Sequence, residues 1–323
     1  MLRKKPAEPT CSRDEGVKLP LPGGRGRTKH ARSQAALTTV AFGTAVMLMP
    51  PSAMANPEEK GAGQAATGDQ ETTGASTTAT NNGSDITRPQ TAFELRASDQ
   101  GNSNETSKTN TAQTLLRLSS NIPLGTGWRM GLLAQVPFKE ETTTTFDPSG
   151  VSHDFGLGDA TFQAFVAHDL NERWAIGAGA RLVARTASDD LGTGKWQIMP
   201  GFGVRYSLPE WGEDSYFVPV IRYAISFAGD PQARRISEPQ IAPTLNIDLP
   251  GPWFLTFYPS NDIRINFGQP KSGQSGRLFL PFDALIGVKL TNTLQISLEG
   301  GVPIVKEYPV YNFKTELRLR LLF

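Results

Sequence analysis

Apolar and polar positions alternate with a period of two through most of residues 91–323, the pattern of strands with one dry face and one wet face. In 127–138, Trp128, Met130, Leu132, Ala134, Val136 and Phe138 alternate with Arg129, Gly131, Leu133, Gln135 and Pro137. In 172–186, Trp174, Ile176, Ala178, Ala180, Leu182 and Ala184 oppose Gly177, Gly179, Arg181 and Arg185. The last strand runs to the chain end, with Phe313, Leu317, Leu319, Leu321 and Phe323 on one face and Lys314, Glu316, Arg318 and Arg320 on the other. The alternation predicts about twelve strands, near 91–98, 112–122, 127–138, 156–169, 172–186, 195–208, 215–228, 236–249, 252–267, 277–290, 292–306 and 309–323. The ninth is the weakest, because Pro259-Ser-Asn-Asp262 could form a hairpin turn.

The connections alternate as well. Those at 123–127, 170–171, 209–214, 250–251 and around Thr291 are short, whereas 99–111, 139–155, 187–194, 229–235 and 268–276 are mostly longer and polar. Short turns at one end, longer loops at the other and an even strand count predict an all-β fold, a transmembrane antiparallel up-and-down β-barrel. Trp128, Trp174, Trp196, Trp211, Tyr216, Trp253, Tyr308 and Tyr311 fall near strand ends, where an aromatic belt at the membrane interface would lie. A soluble sandwich would place such residues nearer its strand centres.

The amino terminus differs in kind. Residues 1–32 carry nine Lys and Arg against three acids, followed by an apolar run from Ala35 to Met49 and then Ser52-Ala-Met-Ala55. A basic region, an apolar run too short to span a bilayer and a small-x-small site predict a signal peptide, 1–55, cut near Ala55. Residues 56–90 have almost no large apolar side chain before Ile86 and are expected to form a disordered periplasmic linker. The barrel then occupies 91–323, in the outer membrane of a Gram-negative bacterium.

Charge and chemistry narrow the function. Cys11 is the only cysteine and lies in the leader, so a disulfide framework, a thiolate nucleophile and a Cys-ligated metal are excluded from the mature chain. Losing nine of 32 basic and three of 31 acidic residues leaves a formal charge of −5, which does not suggest nucleic-acid binding. His153, beside Ser152 and Asp154, and His168 are the only histidines after the leader, and sequence neighbours do not make a triad. The expectation is a protein without catalytic activity or cofactor.

If the apolar face meets lipid, the other face lines a lumen. Its candidates are Arg129, Asp159, Arg181, Arg185, Arg205, Arg222, Arg264, Asp283, Lys289, Glu299, Glu316, Arg318 and Arg320, with Arg96, Arg117 and Lys314 adding to a basic excess. Two readings stay open: the charges pair into salt bridges that fill a narrow barrel, or the excess biases passage toward anions. The expected function is passive uptake or efflux of small solutes, and the alternative is a structural or lipid-modifying outer-membrane barrel. Expected partners are outer-membrane lipid, a small-molecule solute and the barrel-assembly machinery, which would read the closing strand and Phe323.

Several motifs carry a resemblance. Gly156-Leu-Gly-Asp159 entering a strand, Gly201-Phe-Gly203 after Trp196-Gln-Ile-Met-Pro200, and Glu299-Gly-Gly-Val-Pro303 before Tyr308-Pro-Val-Tyr311 resemble elements of the outer-membrane proteins named for the meta-pathway of phenol degradation, often labelled transporters. The resemblance implies a barrel associated with passage of small, often hydrophobic or aromatic compounds, and makes Asp159 either a pore residue or a turn anchor.

Overall fold

A computed structural model describes residues 82–323 apart from residue 189. The expected signal peptide and residues 56–81 of the expected linker lie outside the described residues. The described chain holds fourteen strands, β1(Ala92–Ser103), β2(Ser107–Gly125), β3(Trp128–Phe146), β4(Ser149–Leu157), β5(Thr161–Asp169), β6(Trp174–Val183), β7(Lys195–Ser207), β8(Tyr216–Gly229), β9(Ser237–Asp248), β10(Trp253–Phe257), β11(Ile263–Ile265), β12(Leu278–Lys289), β13(Leu294–Lys306) and β14(Phe313–Leu322). β4 and β5 both pair with β3, and β10 and β11 both pair with β9 and β12, so each couple is one interrupted stave. Fourteen strands therefore make twelve staves. Every neighbouring pair is antiparallel, and β1 pairs with β14 from Ala92↔Leu322 to Gly101↔Phe313, which closes the cylinder.

The wall follows the alternation. Leu118, Phe202, Leu298, Val302 and Leu317 are all more than half exposed, on the face that hydrocarbon covers in a membrane. Glu94, Arg96, Glu299, Glu316, Arg318 and Arg320 point inward and are nearly inaccessible. A buried charged interior inside an apolar exterior inverts the order of a water-soluble domain. Among the described residues no helix is long and apolar enough to cross a membrane.

Two sequence expectations are corrected, and the doubt about the ninth strand resolves in favour of the single strand predicted. Residues 99–111 and 139–155 are mostly strand: β2 and β3 each run 19 residues and continue the β1–β2 and β3–β4 hairpins far past the predicted ends. Spanning a bilayer takes roughly 9–11 tilted residues, so these hairpins project beyond it. There the apolar alternation stops mattering, and β-branched residues such as Thr109, Thr111 and Thr142 to Thr145 sustain the extended backbone. Pro259-Ser-Asn-Asp262 makes no hairpin; it interrupts a single stave. The second correction is that Tyr216, Tyr308 and Tyr311 do not belong to the interfacial belt: each is 1% exposed and faces inward. Trp128, Trp174, Trp211 and Trp253 remain about half exposed near the short turns, with Trp128 stacked on His168 at 4.3 Å.

Candidate functional site

Four features occupy the lumen. The first is a charge network on β1, β2, β13 and β14. Glu94 is ion-paired with Arg96 at 2.5 Å, Arg117 at 3.5 Å and also Arg320. Glu316 pairs with Arg96 at 3.4 Å, Arg318 at 2.6 Å and Lys314 at 3.2 Å. Glu299, fully buried, holds Lys314 at 2.9 Å and Arg318. Register places these groups side by side, with Glu94 opposite both Arg320 and Arg117, Arg96 opposite Arg318, and Glu299 opposite Glu316. Charges this well buried persist because each has several partners.

The second feature is a ledge. After β10, Tyr258 adopts a left-handed backbone (φ 52°), and residues 258–262 fold inward. Ser260 Oγ donates to Glu299 at 2.5 Å and accepts from Lys314 Nζ at 2.6 Å, while Asp262 accepts from Arg222 at 2.5 Å. This ties the stave of β10 and β11, and through Arg222 that of β8, to the charge network inside the barrel. Asp283 lies beside it, 0% exposed and accepting from Tyr311 Oη at 2.8 Å.

The third feature crosses the end that bears the carboxy terminus and the start of β1. Residues 82–90 lead into β1 and reach across to β8, β9 and β10. Asn82 donates to Asn246 at 2.7 Å and Thr256 at 2.6 Å, and accepts from Tyr216 Oη at 2.9 Å. Asp85 is 2% exposed and accepts from the Thr87 amide (2.8 Å), the Thr87 hydroxyl (2.7 Å) and Arg88 Nε (2.8 Å), with Arg205 at 3.7 Å. Arg129 Nε donates to the Thr87 carbonyl at 2.6 Å, and Ile86 packs against Tyr216, Val218 and Val220. Gly131 and Gly203 provide the room: a Cβ there would meet Pro89 at 2.8 Å or Ile86 at 3.1 Å. The expectation of disorder up to residue 90 therefore fails for 82–90. The composition argument counted only apolar burial, whereas this segment is held by polar bonds to a charged wall.

The fourth feature is open space. A cavity of about 690 Å³ lies at the segment's end of the barrel, lined by Arg88, Arg129, Asp169, Arg173 and Arg205 among others. Another of about 680 Å³ lies at the loop end, lined by Arg181, Arg234, Arg264, Lys271, Met199 and Tyr308 among others. The charge network, ledge and segment stand between them.

The sequence candidates distribute as follows. Glu299, Glu316, Arg318 and Arg320 join the network; Arg205 and Arg129 meet the segment and share Asp169; Arg222 holds the ledge; Lys289 pairs with Asp214 at 2.7 Å and Asp248 at 3.3 Å near a turn. Arg181 and Arg264 line the loop-end cavity and make no ion pair among the described residues. Arg185 is exposed, past the end of β6. Asp159 accepts from the Thr193 amide at 2.7 Å, its hydroxyl at 2.9 Å and the Ala187 amide at 3.3 Å, the geometry of a loop anchor. Sequence reasoning missed Asp85, Asp169, Asp214 and Asp262, because it sought countercharges only on strand faces. The sole hint was Asp262 inside a weak strand. His153 contacts Thr142 and Glu140 on the projecting hairpin rather than Ser152 or Asp154.

The comparisons agree with this architecture. No curated protein matches the sequence. The COG4313 outer membrane channel from Pseudomonas putida F1 superposes with a TM-score of 0.57 at 18% identity, covering 73% of this chain and 96% of that one, and shares its fold. The NanC porin (TM-score 0.44, 11% identity, 72% and 98% covered) and the transport unit of the autotransporter AIDA-I from Escherichia coli (0.47, 9%, 72% and 90%) are more distant. The family profile described as "Putative MetA-pathway of phenol degradation" matches residues 80–303, a span that starts with the lumen segment and includes the ledge. With more than half of its length matched, and with its barrel closed around the same stretch, this chain belongs to that family.

Proposed function

We propose that the protein is an outer-membrane conduit for passive passage of small solutes, kept narrow by residues 82–90. The observation that carries the reading is the pair of cavities, about 690 and 680 Å³, at opposite ends of one closed barrel. Between them stand parts of two kinds. The network and ledge belong to the staves themselves, whereas 82–90 is attached covalently only at β1 within the described chain and otherwise by polar bonds, the Asp85–Arg205 pair and the packing of Ile86 on Tyr216, Val218 and Val220. Such a strap can leave while the barrel stays closed, because the β1–β14 ladder does not depend on it. Hydrophobic or aromatic cargo, as the resemblance implies, fits the apolar patches in the lumen.

In the same reading the leader is cleaved near Ala55, the barrel-assembly machinery recognises the closing strand and Phe323, and the protein performs no catalysis. Outer-membrane lipid covers the apolar wall, including a shallow depression lined by Leu118, Leu132, Phe162 and Leu182. Planar-bilayer recording of the folded chain tests the reading: discrete conductance steps are expected, and their absence over many insertions, with or without 82–90, would defeat it. Reversal potentials in a KCl gradient decide the remaining charge question. Since most lumen charges are paired, weak anion preference is expected, arising from the unpaired arginines.

A further inference from the structure

The ion pairs that fill the lumen leave one place uncompensated. At the loop-end cavity Asp262 is engaged by Arg222, and Glu238 by Arg234 at 2.8 Å and Tyr308 Oη at 2.5 Å. Both acids also face the two arginines of the cavity, Arg181 and Arg264, but neither arginine makes a direct ion pair among the described residues, and with Arg234 and Lys271 the cavity lining carries four cations against these two acids. Arg181 has one bond, from Nε to the Gln163 side chain at 3.1 Å, and Arg264 makes none among the described residues, with its Nε buried. A guanidinium with unsatisfied donors in a confined space favours a planar oxyanion, which it can grip with two parallel bonds. Lys271, at the mouth, adds a third cation; it lies 5.1 Å from the Tyr308 ring centroid and donates to the Pro309 carbonyl at 3.3 Å.

One wall of the same cavity is apolar. Val183, Met199, Ala224 and Ile236 form a cluster, each no more than 9% exposed, on the inward faces of β6, β7 and β8 and at the entry to β9. In a lumen otherwise lined with ion pairs, this aliphatic patch has no partner across the cavity. A space of about 680 Å³ is within the ordinary range for small-molecule sites, and its lining is mostly polar, with Val183, Met199 and Ile236 as its aliphatic part.

We propose that the loop-end cavity binds an amphiphilic organic acid, its carboxylate on Arg181 and Arg264 and its apolar body on Val183, Met199 and Ile236. The conduit reading enters only in making this ligand cargo. A simple inorganic anion would use the arginines and leave the patch bare; a neutral apolar solute would do the reverse.

The test is calorimetric titration of the full chain in lipid nanodiscs with hexanoate, hexanamide and acetate. Hexanoate is expected to bind, with hexanamide and acetate each at least about tenfold weaker, since a charge-assisted hydrogen bond and a buried apolar chain each contribute more than 1.4 kcal/mol. Arg264→Gln and Met199→Gln should each weaken hexanoate at least about tenfold. Should Arg264→Gln fail to fold, Arg264→Lys keeps the charge, loses the fork and should still bind several-fold more weakly. Equal affinity for hexanoate and hexanamide, equal affinity for hexanoate and acetate, full affinity in folded Arg264 variants, or no hexanoate binding would each overturn the assignment. KCl conductance is measured in parallel: its absence would remove the conduit reading and leave the binding result standing, whereas conductance without hexanoate binding would do the opposite.

Discussion

Asp85→Ala strikes the most heavily bonded point of the lumen segment. The carboxylate is almost fully buried and accepts three hydrogen bonds of 2.7–2.8 Å, two from Thr87 and one from Arg88, and it also faces Arg205 at 3.7 Å. The Thr87 and Arg88 bonds lie within the segment and survive its release, so the tie from Asp85 to the wall is Arg205, which retains Asp169 at 3.2 Å. A charged contact of this kind contributes about 1.5 kcal/mol, roughly a tenfold shift of a two-state equilibrium. The wall ladder loses nothing, because Asp85 touches it only through side chains. Single-channel recording of wild type and variant under one voltage protocol should therefore show the open fraction rising about tenfold, unless it saturates, with unchanged heat stability of the barrel. An open fraction within about twofold of wild type would refute the idea that Asp85 holds the segment to the wall.

Acid provides a second check on the same group. Burial pushes the Asp85 carboxyl up, but Arg88 and Arg205 outweigh it, and it titrates below the usual carboxylate range. A depressed folded value means that its contribution is present above the unfolded value and is lost only as pH falls through the folded one. Conductance should thus be level from pH 7 to 5 and rise only in acid below the usual carboxylate range; a rise already between pH 6 and 5 would point to another group. At the opposite mouth, burial and then Arg264 and Arg234 pull Lys271 down to about 8, against the opposing pull of Glu238, with Lys139 and the Tyr308 ring also facing it. Calorimetric affinity for hexanoate should fall several-fold from pH 7 to 9.5, and Lys271→Gln should flatten that dependence; an equally steep fall in the variant would assign it elsewhere. Glu299→Ala leaves Lys314 and Arg318 to share Glu316 alone and frees Ser260, so urea unfolding of the folded barrel should lose about 3 kcal/mol, and an unchanged midpoint would deny the network its structural weight.

The wall was legible because the lipid face and the wet face impose period two over every stave, and turns such as Pro250-Gly251, with Gly251 at φ 78°, are marked by residue type. Legibility faded where lipid no longer selects. The Thr-rich extensions of β2 and β3 alternate no apolar residues, so they read as loops. The interior was harder, because what fills it departs from the staves. Asp262 leaves its strand at Tyr258, and Asp85 lies in a segment whose composition alone suggests no fold. Their pairing with Arg222 and Arg205 follows from proximity across the barrel, which period-two reasoning cannot supply. Conversely, Arg181 and Arg264 stood in the basic set from the start. Their distinction, having no direct ion pair, emerged only once the acids around them were seen to be bonded to Arg222 and Arg234.

The central claim is that the lumen conducts small solutes and that residues 82–90 restrict it. The most direct measurement is liposome swelling by the full chain and by a form with 82–90 replaced by an equally long Gly-Ser stretch, against a graded series of small solutes. Slow swelling by the first and markedly faster swelling by the second, with a higher size cut-off, is the predicted result. Equal rates would contradict restriction by the segment, and no swelling by either would contradict the conduit itself.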